Sequence, residues 1–216
     1  MECRSNKTLK KDIFMLMKWM TGLVALAALG MMPAHAAEIG KAAPDFTLTD
    51  TNGTSHKLSD FKGKTVVLEW INHGCPFVVK HYSGGNMQKL QKIYTDRGVV
   101  WLSICSSATG KQGDMTPMEW NKATLEKKAL PTAVLLDGDG KVGRLYDAKV
   151  TPHMYIINKE GVLVYNGAID SIKSTSADDV PKAENYVSKA LEEVLAGKPV
   201  STSSTAAYGC SVKFAN

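Results

Sequence analysis

Short apolar runs bounded by turn residues alternate with longer stretches of helical spacing along most of this 216-residue chain. Residues 66–71 form a continuous apolar run broken only by Glu69, the pattern of an interior parallel strand. Before it, Pro44-Asp45-Phe46-Thr47-Leu48-Thr49 alternates as an edge strand does, and Asn52-Gly53 is a hairpin turn signal. After Cys75 the spacing is helical to about Asp96, with Ser83-Gly84-Gly85-Asn86 in its middle. Two glycines inside a helix cost roughly 1 kcal/mol each relative to alanine. A kink or break is expected there, with a second helix from about Met87.

Residues 99–105 read as the next strand, and residues 106–115 as a polar loop. Thr116-Pro117-Met118-Glu119 is a helix start, with Thr as cap, Pro first and Glu third; that helix is expected to reach about Lys128. Residues 131–136 are another strand, residues 144–147 a short helical turn, and residues 151–157 a strand entered through Pro152. Asn158-Lys159-Glu160-Gly161 turns into a returning strand at residues 162–165, and a last amphipathic helix spans about 180–195. There is no internal repeat. Alternating strands and helices followed by a hairpin and a helix predict an α/β sandwich with a mixed sheet.

The first 36 residues stand apart. Lys10, Lys11 and Lys18 precede an apolar run from Trp19 to Met32, and Ala34-His35-Ala36 has the small-x-small pattern of a signal-peptidase site. Residues 1–36 are therefore expected to be a cleaved signal peptide, residues 37–196 the folded domain, and residues 197–216 a flexible tail. An uncleaved anchor is the alternative, but the run falls short of the roughly 18 apolar residues a membrane span needs. No cysteine stands at the junction to mark a lipoprotein. The expected location is outside the cytoplasm, in the bacterial periplasm, with no stable membrane anchor after cleavage. The chain's net charge is +5. Five basic against two acidic residues in the leader leave the rest at +2, which calls for neither nucleic acid nor an anionic membrane. Three cysteines remain, Cys75, Cys105 and Cys210. An odd number in an exported protein implies a free thiol or an intermolecular bridge, in a compartment where disulfides persist.

The chemistry centres on Cys75. Pro76 suits a first helical position because its missing N–H would be unpaired there, so Cys75 falls at the helix N-cap. Free backbone N–H groups and the positive end of the helix dipole favour its thiolate, the nucleophilic form. Glu69 is either a buried carboxylate of raised pKa, suited to proton exchange with Cys75, or a strand glutamate facing solvent. His73, two residues before the thiol, is either a proton donor or positive neighbour or an exposed loop histidine. Lys80 and His81 lie more than a turn into the helix and are expected at the surface. Cys210 lies beyond small residues, in a place packing does not explain. The 13 steps from Gly197 to Cys210 span up to roughly 43–47 Å when extended, so it can resolve Cys75 as an intramolecular disulfide or reach a partner subunit. Cys105 closes the neighbouring strand; it is a core cysteine or a weaker alternative partner. His73, Cys75 and His81 fall short of the four ligands of a closed zinc site. Asp137-Gly138-Asp139-Gly140 is not a calcium loop, since Ala148 stands where a bidentate Glu is needed. No metal and no cofactor are expected.

This order, with a helix-capping cysteine after the first core strand and Thr151-Pro152 opening a late one, resembles the thioredoxin superfamily. Within it the chain is similar to the redoxin branch, the alkyl hydroperoxide reductase/thiol-specific antioxidant family, in its exported thiol–disulfide form. The likeness runs from about Lys41 to Leu195. It implies a thioredoxin-like three-layer sandwich, a cis Pro152 facing Cys75, a proton-exchange role for Glu69, and the family's final hairpin at residues 155–162. The departures are chemical. Val78 stands where a thioredoxin has its second cysteine, and Val79 where a copper-carrying relative would. Leu68 and Asn72 occupy the Pro and Thr places of a peroxiredoxin's Pro-x-x-x-Thr-x-x-Cys motif. The expected function is therefore an exported thiol–disulfide oxidoreductase or peroxiredoxin-like antioxidant enzyme. Its substrates would be protein disulfides, thiols or peroxides, and an unidentified thiol would supply electrons. The competing expectation is a redox-inactive peptide-binding or chaperone-like module using the groove near Pro152.

Overall fold

The computed structural model of the protein describes residues 36–215, and residues 1–35 of the expected leader lie outside them. In chain order come β1 (Thr47–Asp50), β2 (Ser55–Lys57), β3 (Val66–Trp70), α1 (Pro76–Ser83), α2 (Asn86–Thr95), β4 (Val100–Cys105), α3 (Pro117–Glu126) and β5 (Ala133–Leu136). They are followed by α4 (Lys141–Leu145), β6 (Val150–Thr151), β7 (His153–Ile157), β8 (Leu163–Gly167), α5 (Tyr186–Leu195) and β9 (Cys210–Ser211).

Seven strands form a mixed sheet in the order β2-β1-β5-β4-β3-β7-β8. β3 lies at its heart, parallel to β4 and antiparallel to β7. Successive side chains of a strand point to opposite faces, and β3 uses both. Val67 joins one apolar cluster with Val78 and Tyr82 of α1, Met87, Leu90 and Tyr94 of α2, and Val187 and Leu191 of α5. Val66, Leu68 and Trp70 join the other, with Phe46, Val142 and Tyr146. The result is the expected α/β three-layer sandwich. β1 is not an edge strand: β5 pairs with its other side, and the edge falls to β2.

The local signals act as their chemistry requires. Gly85 takes φ 70°, a left-handed conformation that ends α1 and caps α2. Thr116 and Glu119 close a reciprocal capping box on α3. The last helix is shorter than expected. Pro181 sits in a 3-10 turn, Ala177–Lys182, and Asn185 caps α5 by accepting the Ser188 N–H at 2.8 Å. α4 begins earlier than expected, after Gly140 at φ 69°.

Residues 197–215 differ from the expected free tail. The Asn166 amide donates to the Ser203 carbonyl at 3.0 Å, and Thr205 Oγ1 accepts the Ala168 amide at 2.9 Å. β9 then pairs antiparallel with β6, Thr151 opposite Cys210 and Val150 opposite Ser211. Beyond it, Val212 N–H donates to the Lys149 carbonyl at 3.0 Å and Ala108 N–H to the Lys213 carbonyl at 2.8 Å. Small side chains permit this close approach as readily as they permit a linker, which is why composition alone misread the segment.

Candidate active site

Cys75 is the N-cap of α1 in extended conformation, φ −86° and ψ 123°, with Pro76 first in the helix. Its loop is braced from both sides. Asn72 accepts the Gly74 amide at 2.8 Å and donates to the Gln112 carbonyl at 3.1 Å, and Gln112 returns a bond to the Gly74 carbonyl at 3.1 Å. The sequence marked Asn72 only as a departure from the peroxiredoxin motif and did not single out Gln112, although an Asn three residues before a helix cap is an ordinary turn signal.

The Cys75 thiol is fully buried and donates to the Thr151 carbonyl at 3.0 Å. The Thr151-Pro152 peptide bond is cis. Cys210 Sγ lies 2.7 Å from Cys75 Sγ, and the Cys210 amide points at the same sulfur at 3.4 Å. The two thiols have unequal acidity. Burial opposes ionisation of Cys75, but the Cys210 thiol and amide and the Val78 amide overcome it and hold the Cys75 pKa below the ordinary thiol value. Burial and the adjacent Cys75 sulfur push Cys210 up to about 11. One proton thus sits preferentially on Cys210, and the charge on Cys75. β9 also fills the strand edge beside Pro152 that a bound peptide would use.

The other expected residues divide. Glu69 is fully buried, on the α1 side of the sheet. Its carboxylate accepts from Tyr82 Oη at 2.9 Å, Trp101 Nε1 at 2.8 Å, Ser103 Oγ at 3.0 Å and Gln91 Nε2 at 3.3 Å. Burial raises its pKa despite these four bonds. Cys75 is not among its hydrogen-bond partners. His73 packs its ring against Tyr82 and Trp120, centroids 5.1 and 5.0 Å apart. Burial, helped by the Lys127 charge, lowers its pKa to about 4, so at neutral pH it is no positive neighbour. Cys105 is buried, its thiol turned to the Gly113 carbonyl at 3.4 Å and its pKa raised by burial; it is a core cysteine.

Lys80 and His81 are not surface residues; both are fully buried. Lys80 Nζ donates to both Asp170 oxygens, at 2.9 and 3.2 Å, to the Ile172 carbonyl at 2.7 Å and to Tyr208 Oη at 3.2 Å. A buried ammonium demands such partners, and these come from the loop after β8 and from the tail. Among the described residues no group of three or more His, Cys, Asp or Glu is arranged to hold a metal ion. A cavity of about 250 Å³ opens beside His73, between α1 and the end of α3. A larger one, about 730 Å³, lies at the opposite end of β3 and does not border Cys75.

A family model described as Redoxin matches residues 38–187. The chain is 29% identical over 160 residues to "Thiol-disulfide oxidoreductase ResA" of Geobacillus kaustophilus, covering 71% of this chain and 86% of the relative. It is 30% identical over 149 residues to the protein of that name from Bacillus subtilis, covering 66% and 78%. Among solved structures, an uncharacterized conserved protein from Geobacillus kaustophilus superposes with a TM-score of 0.69 at 28% identity, over 82% of this chain and 93% of that one. A hypothetical protein from Sinorhizobium meliloti shares the fold, with a TM-score of 0.70 at 24% identity over 84% and 97%.

Proposed function

Because the chain belongs to the Redoxin family, in the thiol–disulfide branch of the thioredoxin superfamily, we propose that it is an exported thiol–disulfide oxidoreductase with Cys75 as nucleophile and Cys210 as resolving thiol. The observation that carries this reading is the direct contact of the two sulfurs at 2.7 Å. The Cys75 thiolate attacks a substrate disulfide; one substrate sulfur leaves as thiolate and the other is held in a mixed disulfide. Cys210 then attacks the Cys75 sulfur, closing a Cys75–Cys210 bridge and releasing the second substrate thiolate. A dithiol donor restores both thiols and is itself oxidised. The reverse direction uses the same steps.

The acidity of the pair suits this order. A thiol of lowered pKa is both the attacking thiolate and the better leaving group when its bridge is broken. Burial raises the pKa of Cys210, and the Cys75 sulfur beside it raises it further. In the mixed disulfide the Cys75 charge is gone, so the resolving thiol loses a thiolate neighbour when it must ionise. The absence of a cysteine at Val78 is thereby met from the tail. Export to the periplasm rests on the leader-like residues 1–36.

Non-reducing peptide mapping by mass spectrometry tests the reading. One equivalent of oxidised glutathione should produce a Cys75–Cys210 bridge and leave Cys105 free. A Cys75–Cys105 bridge would transfer the resolving role, and an unmodified Cys75 would remove the enzyme reading. A parallel sample with one equivalent of peroxide separates disulfide exchange from peroxide reduction.

A further inference from the structure

The mechanism above leaves unused a fully buried ion cluster that joins the nucleophile's helix to the tail. Lys80 is on α1, five residues after Cys75; Asp170 is three residues beyond β8; Tyr208 is two residues before Cys210. The side chains of Lys80 and Asp170 are 0% and 2% exposed. Tyr208 Oη bonds Asp170 Oδ1 and accepts from Lys80 Nζ. Its ring packs edge-on against Phe77 of α1, centroids 5.7 Å apart, and Lys80 Nζ lies 5.4 Å from the ring centroid. Two residues on, the chain crosses β6 and sets Cys210 on Cys75.

We propose that Tyr208, seated on the Lys80–Asp170 pair, is a positioning residue that latches the C-terminal strand over Cys75 and so governs both access to the nucleophile and delivery of the resolving thiol. The proposal rests on the reading of Cys210 as that thiol. A latch is needed because Cys75, with Cys210 of the docked strand against its sulfur, has no exposed surface. A substrate disulfide reaches the sulfur only when β9 lifts, and resolution occurs only when it returns. The ion pair is a stable seat. Without the phenol, Lys80 keeps both Asp170 oxygens and the Ile172 carbonyl, and Asp170 Oδ1 keeps the Ile172 amide at 3.1 Å. Tyr208→Phe therefore removes the phenol's tie between the tail and the ion pair and retains its ring, while the buried charges stay paired.

The experiment compares reduced wild type with Tyr208→Phe. Iodoacetamide labelling of Cys75 and Cys105 is followed residue by residue by mass spectrometry, and resolution of the Cys75–glutathione mixed disulfide is timed after mixing with oxidised glutathione. Loss of a hydrogen bond to a charged group predicts Cys75 labelling at least about tenfold faster. It also predicts slower closure of the Cys75–Cys210 bridge, with Cys105 labelling unchanged. Cys105, buried in the core with its thiol turned to the Gly113 carbonyl, is the internal control. Acceleration of both thiols together would mean global loosening and would overturn the latch, as would unchanged Cys75 labelling. If wild type forms no Cys75–Cys210 bridge, the resolving role falls, while Cys75-selective labelling still decides whether Tyr208 holds the cover.

Discussion

Gly209→Ala strikes the docked strand at its closest point to the active-site loop. A Cβ at Gly209 would collide with the Thr151 carbonyl and lie 2.7 Å from the Thr151 carbonyl carbon and 3.2 Å from Pro152 N. All three are backbone atoms, so no side chain can swing aside, and the strand must withdraw. Withdrawal breaks the hydrogen bonds that follow Cys210, namely Val212 N–H to Lys149 at 3.0 Å and Ala108 N–H to Lys213 at 2.8 Å. Two bonds at a net of about 0.5–1.5 kcal/mol each weaken docking by about 1–3 kcal/mol, which raises the open-to-docked ratio about 5- to 150-fold. Amide hydrogen exchange reads this directly. The Val212 and Ala108 amides should lose protection by that factor, while the amides of β3 and β4 keep theirs. Wild-type protection at both amides in Gly209→Ala would refute the reasoning, because it would mean that β9 does not depend on contact with Thr151.

Glu69→Gln should remove a pH dependence. Because burial raises the folded pKa of Glu69, the native state holds its proton more tightly than the unfolded chain. This contribution to stability is present at low pH and is lost as pH rises from the unfolded value toward the folded one, by up to about 1.4 kcal/mol per pH unit; urea melts of both proteins across pH 4–8 should differ by that slope. His73, His81 and His153 act in the opposite sense, since burial holds each near 4. Stability should fall as pH drops from about 6.5 to 4, by up to about 1.4 kcal/mol per unit for each, and proton NMR titration should show none of the three rings charged at pH 6. Asp170→Ala leaves Lys80 buried without its carboxylate and should cost about 3–5 kcal/mol in chemical denaturation; a loss below 1 kcal/mol would mean that Lys80 reaches water.

The centre of the site was legible because its signals are local. An apolar run, one turn, a cysteine and a proline specify β3, the N-cap and the start of α1 without reference to the rest of the chain. Gly84-Gly85 marked the break between α1 and α2 for the same reason. The burial of Lys80 was not legible. Its charge argues for the surface, and the carboxylate that neutralises it is 90 residues away. Glu69 stood between two readings until the four donors from α1, α2 and β4 were in place. The path of the tail was hidden because Ser, Thr, Ala and Gly suit both a loose linker and a strand lying tightly on backbone. The odd cysteine at the end of that tail was the surviving clue.

In the proposed cycle, drawing the resolving thiol from the tail has a consequence that a Cys-x-x-Cys helix avoids. In a helical pair the second thiol lies beside the first without blocking it. Here the segment that brings Cys210 lies directly on Cys75, which has no exposed surface, so in that cycle attack and resolution require opposite positions of one strand. Docking that is too strong keeps substrate out; docking that is too weak leaves the mixed disulfide unresolved. A docking free energy of about 1.4–2.7 kcal/mol keeps roughly 1–10% of molecules open, enough for substrate to enter while the tail remains mostly at hand. β9 pairs through only two residues, which by itself is little structure to hold a strand. Tyr208 and its buried seat add a tie to α1, the helix that Cys75 caps. In the proposed cycle the balance between the two half-reactions is thus set by contacts outside the reacting sulfurs, and it can change without altering either cysteine.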